Sequence, residues 1–270
     1  MIKNLKKVYR FINKQFPFLF VIRFSANMYR TWFHKKNLVR ADAQQKQSPP
    51  FGLFSGQFLS HEGKSSQKWS QYLPIYDELI PELHAAFGSQ IRVLEIGVQA
   101  GGSIEIWRKV FGRQATIYGI DIDHKVANLE LDAHIRIGSV TNYKFLSGVA
   151  KELGSIDFVI DDGSHHSLEQ RQALEVLFPY LSNNSVYVIE DIEHSYYWNK
   201  HGGYLRPGSI VQRMKRVIDV MNKNFFSFPV SHPLKMDFTN LYSLTFHTGV
   251  IIIRKREKIL PYIIRTKPSE

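Results

Sequence analysis

Ile156-Asp157-Phe158-Val159-Ile160-Asp161-Asp162-Gly163-Ser164-His165-His166 is a short apolar run that stops abruptly in two carboxylates and then two histidines on a Gly-Ser turn. Val186-Tyr187-Val188-Ile189-Glu190-Asp191 repeats the pattern: an apolar run of strand length, then acids. Near-continuous apolar runs of this length belong to strands buried on both faces, as in a parallel sheet. Two such strands side by side would bring Asp162, His165, Glu190 and Asp191 together. Oxygen ligands for a hard cation and a candidate base would then share one end of the sheet.

Working outward, strand and helix alternate from Arg92 onward. The pattern predicts strands over 93–96, 116–120, 134–137, 156–160 and 186–189. It predicts helices over 103–111, near 143–153, over 168–181 and around 210–222. Leu241 to His247 and Val250 to Ile253 are separated only by Thr248-Gly249, the spacing of an antiparallel hairpin. The expected fold is an α/β doubly wound sheet with an antiparallel C-terminal hairpin. Five parallel strands finished by a reversed hairpin is the sheet of class I methyltransferases, a Rossmann-like fold.

The first strand runs into Glu95-Ile96-Gly97-Val98-Gln99-Ala100-Gly101-Gly102-Ser103. Gly97 permits a tight turn, Gly101 and Gly102 allow close backbone approach, and Ser103 can cap the helix. The second strand ends in Asp121, where a carboxylate can accept hydrogen bonds from ribose hydroxyls or simply cap a turn. NAD and S-adenosylmethionine (SAM) both suit this arrangement. SAM is favoured because the strand ends in the acid Glu95, the loop is not G-x-G-x-x-G, and the sheet ends in a hairpin.

At the other end, Asp161 and Asp162 alternate in direction, so one can face the cofactor side and the other the substrate side. Clustered buried carboxylates require a compensating cation, so Asp162 with Glu190 and Asp191 implies a divalent ion, Mg²⁺ by preference. His165 is the candidate base, while His166 and His194 are read as capping or surface residues.

Val93 to Trp107 (VLEIGVQAGGSIEIW), YGIDID at 118–123, IDDGSH at 160–165 and VIEDIEHSYYW at 188–198 resemble the metal- and SAM-dependent O-methyltransferases of macrolide sugars. They are also similar to the cephalosporin hydroxylase-like and glycan methyltransferase families of bacterial polysaccharide clusters. The resemblance spans roughly residues 68–254. It implies that Asp162, Glu190 and Asp191 hold Mg²⁺ and that His165 takes the acceptor proton. It also implies that Glu95, Gly97, Ser103 and Asp121 contact SAM. Gly101, Ser139 and Asp161 complete the expected cofactor side. Gly138-Ser139 departs from the family's Gly-Asp, and a serine there accepts the adenine hydrogen bond more weakly. The implied reaction is methyl transfer to a hydroxyl of a sugar or glycan. The alternatives are a catalytically silent SAM-fold module in a glycan-assembly complex and an NAD-dependent oxidoreductase.

The formal charge of +11 is unevenly placed. Ten of the 35 lysines and arginines lie in residues 1–41, which hold no acid, leaving 25 basic against 24 acidic residues elsewhere. The body is thus near neutral and its aromatics lack basic interleaving, which disfavours nucleic acid. With zero cysteines, disulfides and thiolate metal sites are excluded, in keeping with a cytoplasmic protein. The expected organisation is a basic amphipathic extension and linker (1–50), a substrate-side or lid segment (51–90), the methyltransferase domain (91–256) and a tail (257–270). Leu5, Val8, Tyr9 and Ile12 fall at helical spacing opposite lysines, a pattern suited to peripheral contact with an inner membrane face. Packing on the body or in a homo-oligomer is the other reading of this segment. It has neither the apolar length of a spanning helix nor a signal-peptide cleavage site.

Overall fold

A computed structural model describes residues 52–227, 238, 240–257 and 262–266. The basic amphipathic pattern of residues 1–50 and part of the 257–270 tail lie outside the described residues. The sheet contains β1 (Arg92–Ile96), β2 (Thr116–Asp121), β3 (His134–Ile137), β4 (Ile156–Asp161), β5 (Leu181–Ile189), β6 (Leu241–His247) and β7 (Val250–Lys255). Their order is β3-β2-β1-β4-β5-β7-β6. The first five are parallel and β7 runs antiparallel to both β5 and β6, so the expected doubly wound sheet with a reversed hairpin is observed.

The apolar strands are covered on both faces. On one side α1 (Leu53–Leu59), α2 (Tyr72–Phe87) and α3 (Gly102–Phe111) enclose a core around Tyr76, Trp107, Phe158 and Val188. On the other, α4 (Tyr143–Leu153), α5 (Ser167–Leu177) and α6 (Ile210–Met221) pack over Leu94, Val159, Tyr187 and Ile251. Asn142 caps α4 by accepting from the Phe145 amide at 3.1 Å, and Ser209 caps α6 through the Gln212 amide at 3.3 Å.

Two boundaries differ from expectation. The helix expected to reach 181 ends at Leu177 and continues only as a 3₁₀ turn, Phe178–Tyr180, because Pro179 has no amide hydrogen to donate. Strand β5 consequently begins at Leu181 instead of Val186. Helix α1 forms at the start of the substrate-side segment, where the sequence pattern specifies no helix; Asp77 anchors its start by accepting from the Ser55 amide at 2.9 Å.

The sheet order reverses between β1 and β4, where Ile96 registers with Asp161, and Asp161 in turn registers with Ile189. The carboxyl ends of β1, β4 and β5 therefore lie side by side at the switch point, the usual ligand crevice of an open α/β sheet.

Candidate active site

Asp162 leaves β4 with its amide bonded to the Ile96 carbonyl at 3.0 Å, and Glu190 leaves β5 bonded to the Asp161 carbonyl at 3.0 Å. These ladder extensions put the acids of adjacent strands in one pocket. Asp191 and His165 both adopt left-handed backbone, with φ of 53° and 56°, which is uncommon for residues bearing a side chain. One donor atom each from Asp162, His165 and Asp191 lies within 4.8 Å of the others. An oxygen and imidazole set of this kind fits a hard divalent cation. His165 Nε2 stands 3.5 Å from Asp191 Oδ2, and its ring stacks on His194 with centroids 4.9 Å apart. Its Nδ1 is buried and bonds to no protein group among the described residues.

Glu190, 1% exposed, is gripped from the segment before β1. Lys68 Nζ donates to Glu190 Oε1 at 2.6 Å and to Asp162 Oδ2 at 3.0 Å, and the Tyr76 hydroxyl bonds the same Glu190 oxygen. Tyr72 donates to Asp191 Oδ1 at 2.8 Å. Burial opposes the Lys68 charge, but Asp162, Glu190 and Glu95 outweigh it and hold the ammonium above its ordinary range. Burial and Asp162 push the Glu190 carboxyl up, while Lys68 and Tyr76 pull it down. These two tendencies disagree about the pair, since a protonated Glu190 would leave Lys68 less reason to stay charged. The 2.6 Å contact and the second carboxylate on the same ammonium favour the ionised pair.

On the cofactor side, Gly97 has φ of 94°, and a Cβ there would overlap the Asp162 carbonyl, so only glycine lets the β1 and β4 loops meet. Glu95 is fully buried; Ser103 Oγ donates to its Oε2 at 2.9 Å, and Oε1 has no close hydrogen-bond partner among the described residues. Burial pushes the Glu95 carboxyl up to about 7, while the Ser103 hydroxyl and the Trp107 indole pull it down. A cationic ligand group would satisfy this oxygen. Gly101 is the left-handed N-cap of α3, and at Gly102 the nearest backbone is the chain's own Lys64 and Ser65 carbonyls. The 61–68 segment thus lies against the glycine loop, tied down by Lys64, whose amide and ammonium bond Glu105 at 2.9 and 2.8 Å.

The remaining expected residues are more occupied. Asp121 Oδ2 accepts from the Val98 and Gln99 amides at 3.0 and 2.9 Å, and its Oδ1 accepts from Asp123 at 2.9 Å, bracing the glycine loop against β2. Ser139 Oγ pairs with Thr141 Oγ1 at 2.7 Å. Asp161 is 3% exposed and pairs with the Tyr187 hydroxyl at 3.3 Å, on the sheet face away from Trp107.

A family model described as "Methyltransferase domain" matches residues 94–192, the span from β1 to Asp191. The chain is 30% identical over 200 residues to the 8-demethyl-8-alpha-L-rhamnosyl tetracenomycin-C 2'-O-methyltransferase of Streptomyces olivaceus, an overlap covering 71% of this chain and 52% of that protein. The curated proteins it resembles include sugar O-methyltransferases. The mycinamicin VI 2''-O-methyltransferase of Micromonospora griseorubida is 33% identical over 68% of this chain and 48% of its own length. The solved structure of the MycE methyltransferase from the mycinamycin pathway, in complex with Mg and SAH, superposes with a TM-score of 0.64 at 26% identity. That overlap covers 78% of this chain and 55% of MycE. The chain thus spans about half the length of the curated relatives it matches.

Sequence reasoning placed Lys68, Tyr72 and Tyr76 only within the substrate-side segment, 51–90. Their spacing of four carried the signal: residues 72 and 76 share one face of α2, and Lys68 precedes them on the approach. His194, read as a surface residue, is 8% exposed and supports His165.

Proposed function

We propose that this chain transfers the methyl group of SAM to a sugar hydroxyl in the presence of Mg²⁺. The observation that carries the reading is the convergence of Asp162, His165 and Asp191, one donor atom of each within 4.8 Å of the others. The His165 imidazole is suited to accept a hydroxyl proton, and Asp191, 3.5 Å from its Nε2, stabilises the imidazolium that forms. Asp162, Glu190 and Asp191 are assigned to Mg²⁺, which when bound supplies Lewis acidity to a coordinated hydroxyl. Lys68 and Tyr76 hold Glu190, and Tyr72 holds Asp191, so the carboxylates keep their orientation without the metal.

For the methyl donor, Glu95 is assigned to the ammonium of its amino-acid end, with Gly97, Gly101 and Ser103 shaping that cradle. Asp121 is assigned to the ribose, Ser139 to the adenine edge, and Asp161 to support of the turn beneath the donor. Residues 51–90 then form the acceptor-side segment and 91–256 the methyltransferase domain. Positioning donor and acceptor in line supplies much of the acceleration.

The test is transfer of label from methyl-labelled SAM into a panel of methyl glycosides, rhamnosides included, with Mg²⁺ and with excess EDTA. Label should enter an acceptor only with the metal. Undiminished transfer in EDTA overturns the metal assignment, and no transfer to any glycoside or glycan overturns the activity.

A further inference from the structure

The loop from Ile192 to Pro207 forms a collar around the mouth of this pocket. It begins at Asp191, where the Ile192 amide bonds the Gly249 carbonyl at 3.0 Å, and His194 stacks beneath His165. It then returns to the turn that carries the base. Lys200 Nζ donates to the Ser164 carbonyl at 2.6 Å, and His201 Nδ1 lies 3.1 Å from His166 Nδ1. The start and the middle of the collar are therefore fastened beside Asp191 and to the turn that carries His165.

The outer surface of the collar is aromatic and basic. Trp198 is 72% exposed and Tyr204 83% exposed. Arg206 lies over the Trp198 ring, 4.6 Å from its centroid, donates to the Gly202 carbonyl at 3.1 Å, and meets no carboxylate among the described residues. Between Glu193 and Asp219 the chain contains no acid. The nearest acids facing the collar are Glu193, beside His194, and Glu169, whose carboxylate accepts from Ser164 Oγ at 2.6 Å. The pocket behind holds three carboxylates: Asp162 and Glu190 share the Lys68 ammonium, and Asp191 accepts from Tyr72.

We propose that the collar binds a phosphate carried by the acceptor sugar, with Arg206 on the phosphate and Trp198 against a sugar face. This rests on the methyl-transfer reading of the site and names its substrate class. The polarity has a physical consequence. With Mg²⁺ and Lys68 balancing the pocket carboxylates, the collar, acid-free beyond Glu193, is the side that attracts the anion, so the phosphate rests on the collar while a hydroxyl reaches toward His165. Guanidinium matches phosphate in a two-point contact, and an exposed indole offers a flat apolar face to a sugar ring. The phosphate could belong to a nucleotide-linked, lipid-linked or polymeric glycan, all of which share this chemistry.

The experiment compares kcat/KM for matched acceptors, methyl glycosides against the corresponding glycosyl 1-phosphates, in the wild type, Arg206→Gln and Arg206→Lys. The wild type should prefer the phosphorylated acceptor by about tenfold to a hundredfold, the range of a charged hydrogen bond. Arg206→Gln should bring that ratio toward one and Arg206→Lys should restore part of it, with SAM affinity by calorimetry reporting an intact fold. Equal kcat/KM for the two acceptors, or a ratio untouched in Arg206→Gln, overturns the subsite.

Calorimetry with the glycosyl 1-phosphates separates failure of the subsite from failure of the methyl-transfer reading. Saturable binding that is weakened in Arg206→Gln supports the collar even where no acceptor is methylated. Absence of binding overturns it. Nucleotide-diphosphate sugars, polyprenyl-diphosphate sugars and a phosphorylated glycan, run as separate arms, identify the source of the phosphate.

Discussion

The Lys68 ammonium lies 2.6 Å from Glu190 Oε1 and 3.0 Å from Asp162 Oδ2, with its side chain only 1% exposed. One cation from the segment before the sheet thus joins the ends of two adjacent strands. Removing one partner of a buried ion pair leaves the other charge uncompensated. Lys68→Met should therefore lower stability in EDTA by about 3–5 kcal/mol, measured by urea unfolding. Added Mg²⁺ should recover part of the loss, because a divalent cation bound to the native state supplies the missing charge. A variant as stable as the wild type in EDTA would show that the two carboxylates are compensated elsewhere.

His165 and Asp162 should separate in their effects. His165→Ala removes the proton acceptor and should lower kcat by about 10²- to 10⁴-fold, with SAM affinity retained in calorimetry. Asp162→Asn should weaken Mg²⁺ binding, read directly by titration with Mn²⁺ and electron paramagnetic resonance. Unchanged metal affinity in Asp162→Asn contradicts its assignment as a ligand.

Glu95 makes donor binding depend on pH. Burial lifts its carboxyl to about 7, and only the ionised form can neutralise a donor ammonium. The folded protein therefore holds a proton on Glu95 below about pH 7 that donor binding must release. SAM affinity should be greatest near pH 7 to 8, falling by up to about tenfold per unit at lower pH as Glu95 gains its proton and falling again at higher pH as the donor's α-amino group, of pKa about 7.7–8.0, loses its own. Glu95→Gln should bind SAM weakly and with a flat profile from pH 6 to 7. An equally steep profile in that variant would place the titrating group elsewhere.

Gly97→Ala tests the crossing of the two loops. The new Cβ would meet the Asp162 carbonyl from a residue already at φ of 94°. Strain at positive φ costs about 1–3 kcal/mol, and the backbone clash adds to it. Thermal unfolding should show a lowered midpoint together with weakened Mg²⁺ binding, since Asp162 must shift. Gly88→Ala also falls at positive φ, 59°, but in open space, and should leave Mg²⁺ binding as it was.

Much of the fold was legible because burial on both faces forces a local pattern. The runs at 93–96, 156–160 and 250–253 could be nothing but interior strands, and the two-residue spacing at Thr248-Gly249 admits only a hairpin. The acids at 162, 190 and 191 were conspicuous for a similar reason: charges ending apolar runs serve packing poorly. Helix α1 and the early end of α5 were less legible, since the Asp77 contact that anchors the first lies 22 residues from Ser55 and the second turns on a single proline.

The sequence by itself determined the sheet, the tight turn at Gly97 and the placing of carboxylates and a histidine at strand ends, all features written in residues close along the chain. Only the tertiary structure decided what surrounds each charge. Lys68 is 94 residues from Asp162 and 122 from Glu190, and Tyr72 is 119 from Asp191. It likewise turned Asp121 toward the backbone of the glycine loop and placed His194 under His165. Hydrogen bonds and ion pairs act over a few ångströms, so partners so distant in sequence leave no periodic trace and become visible only once the chain has folded.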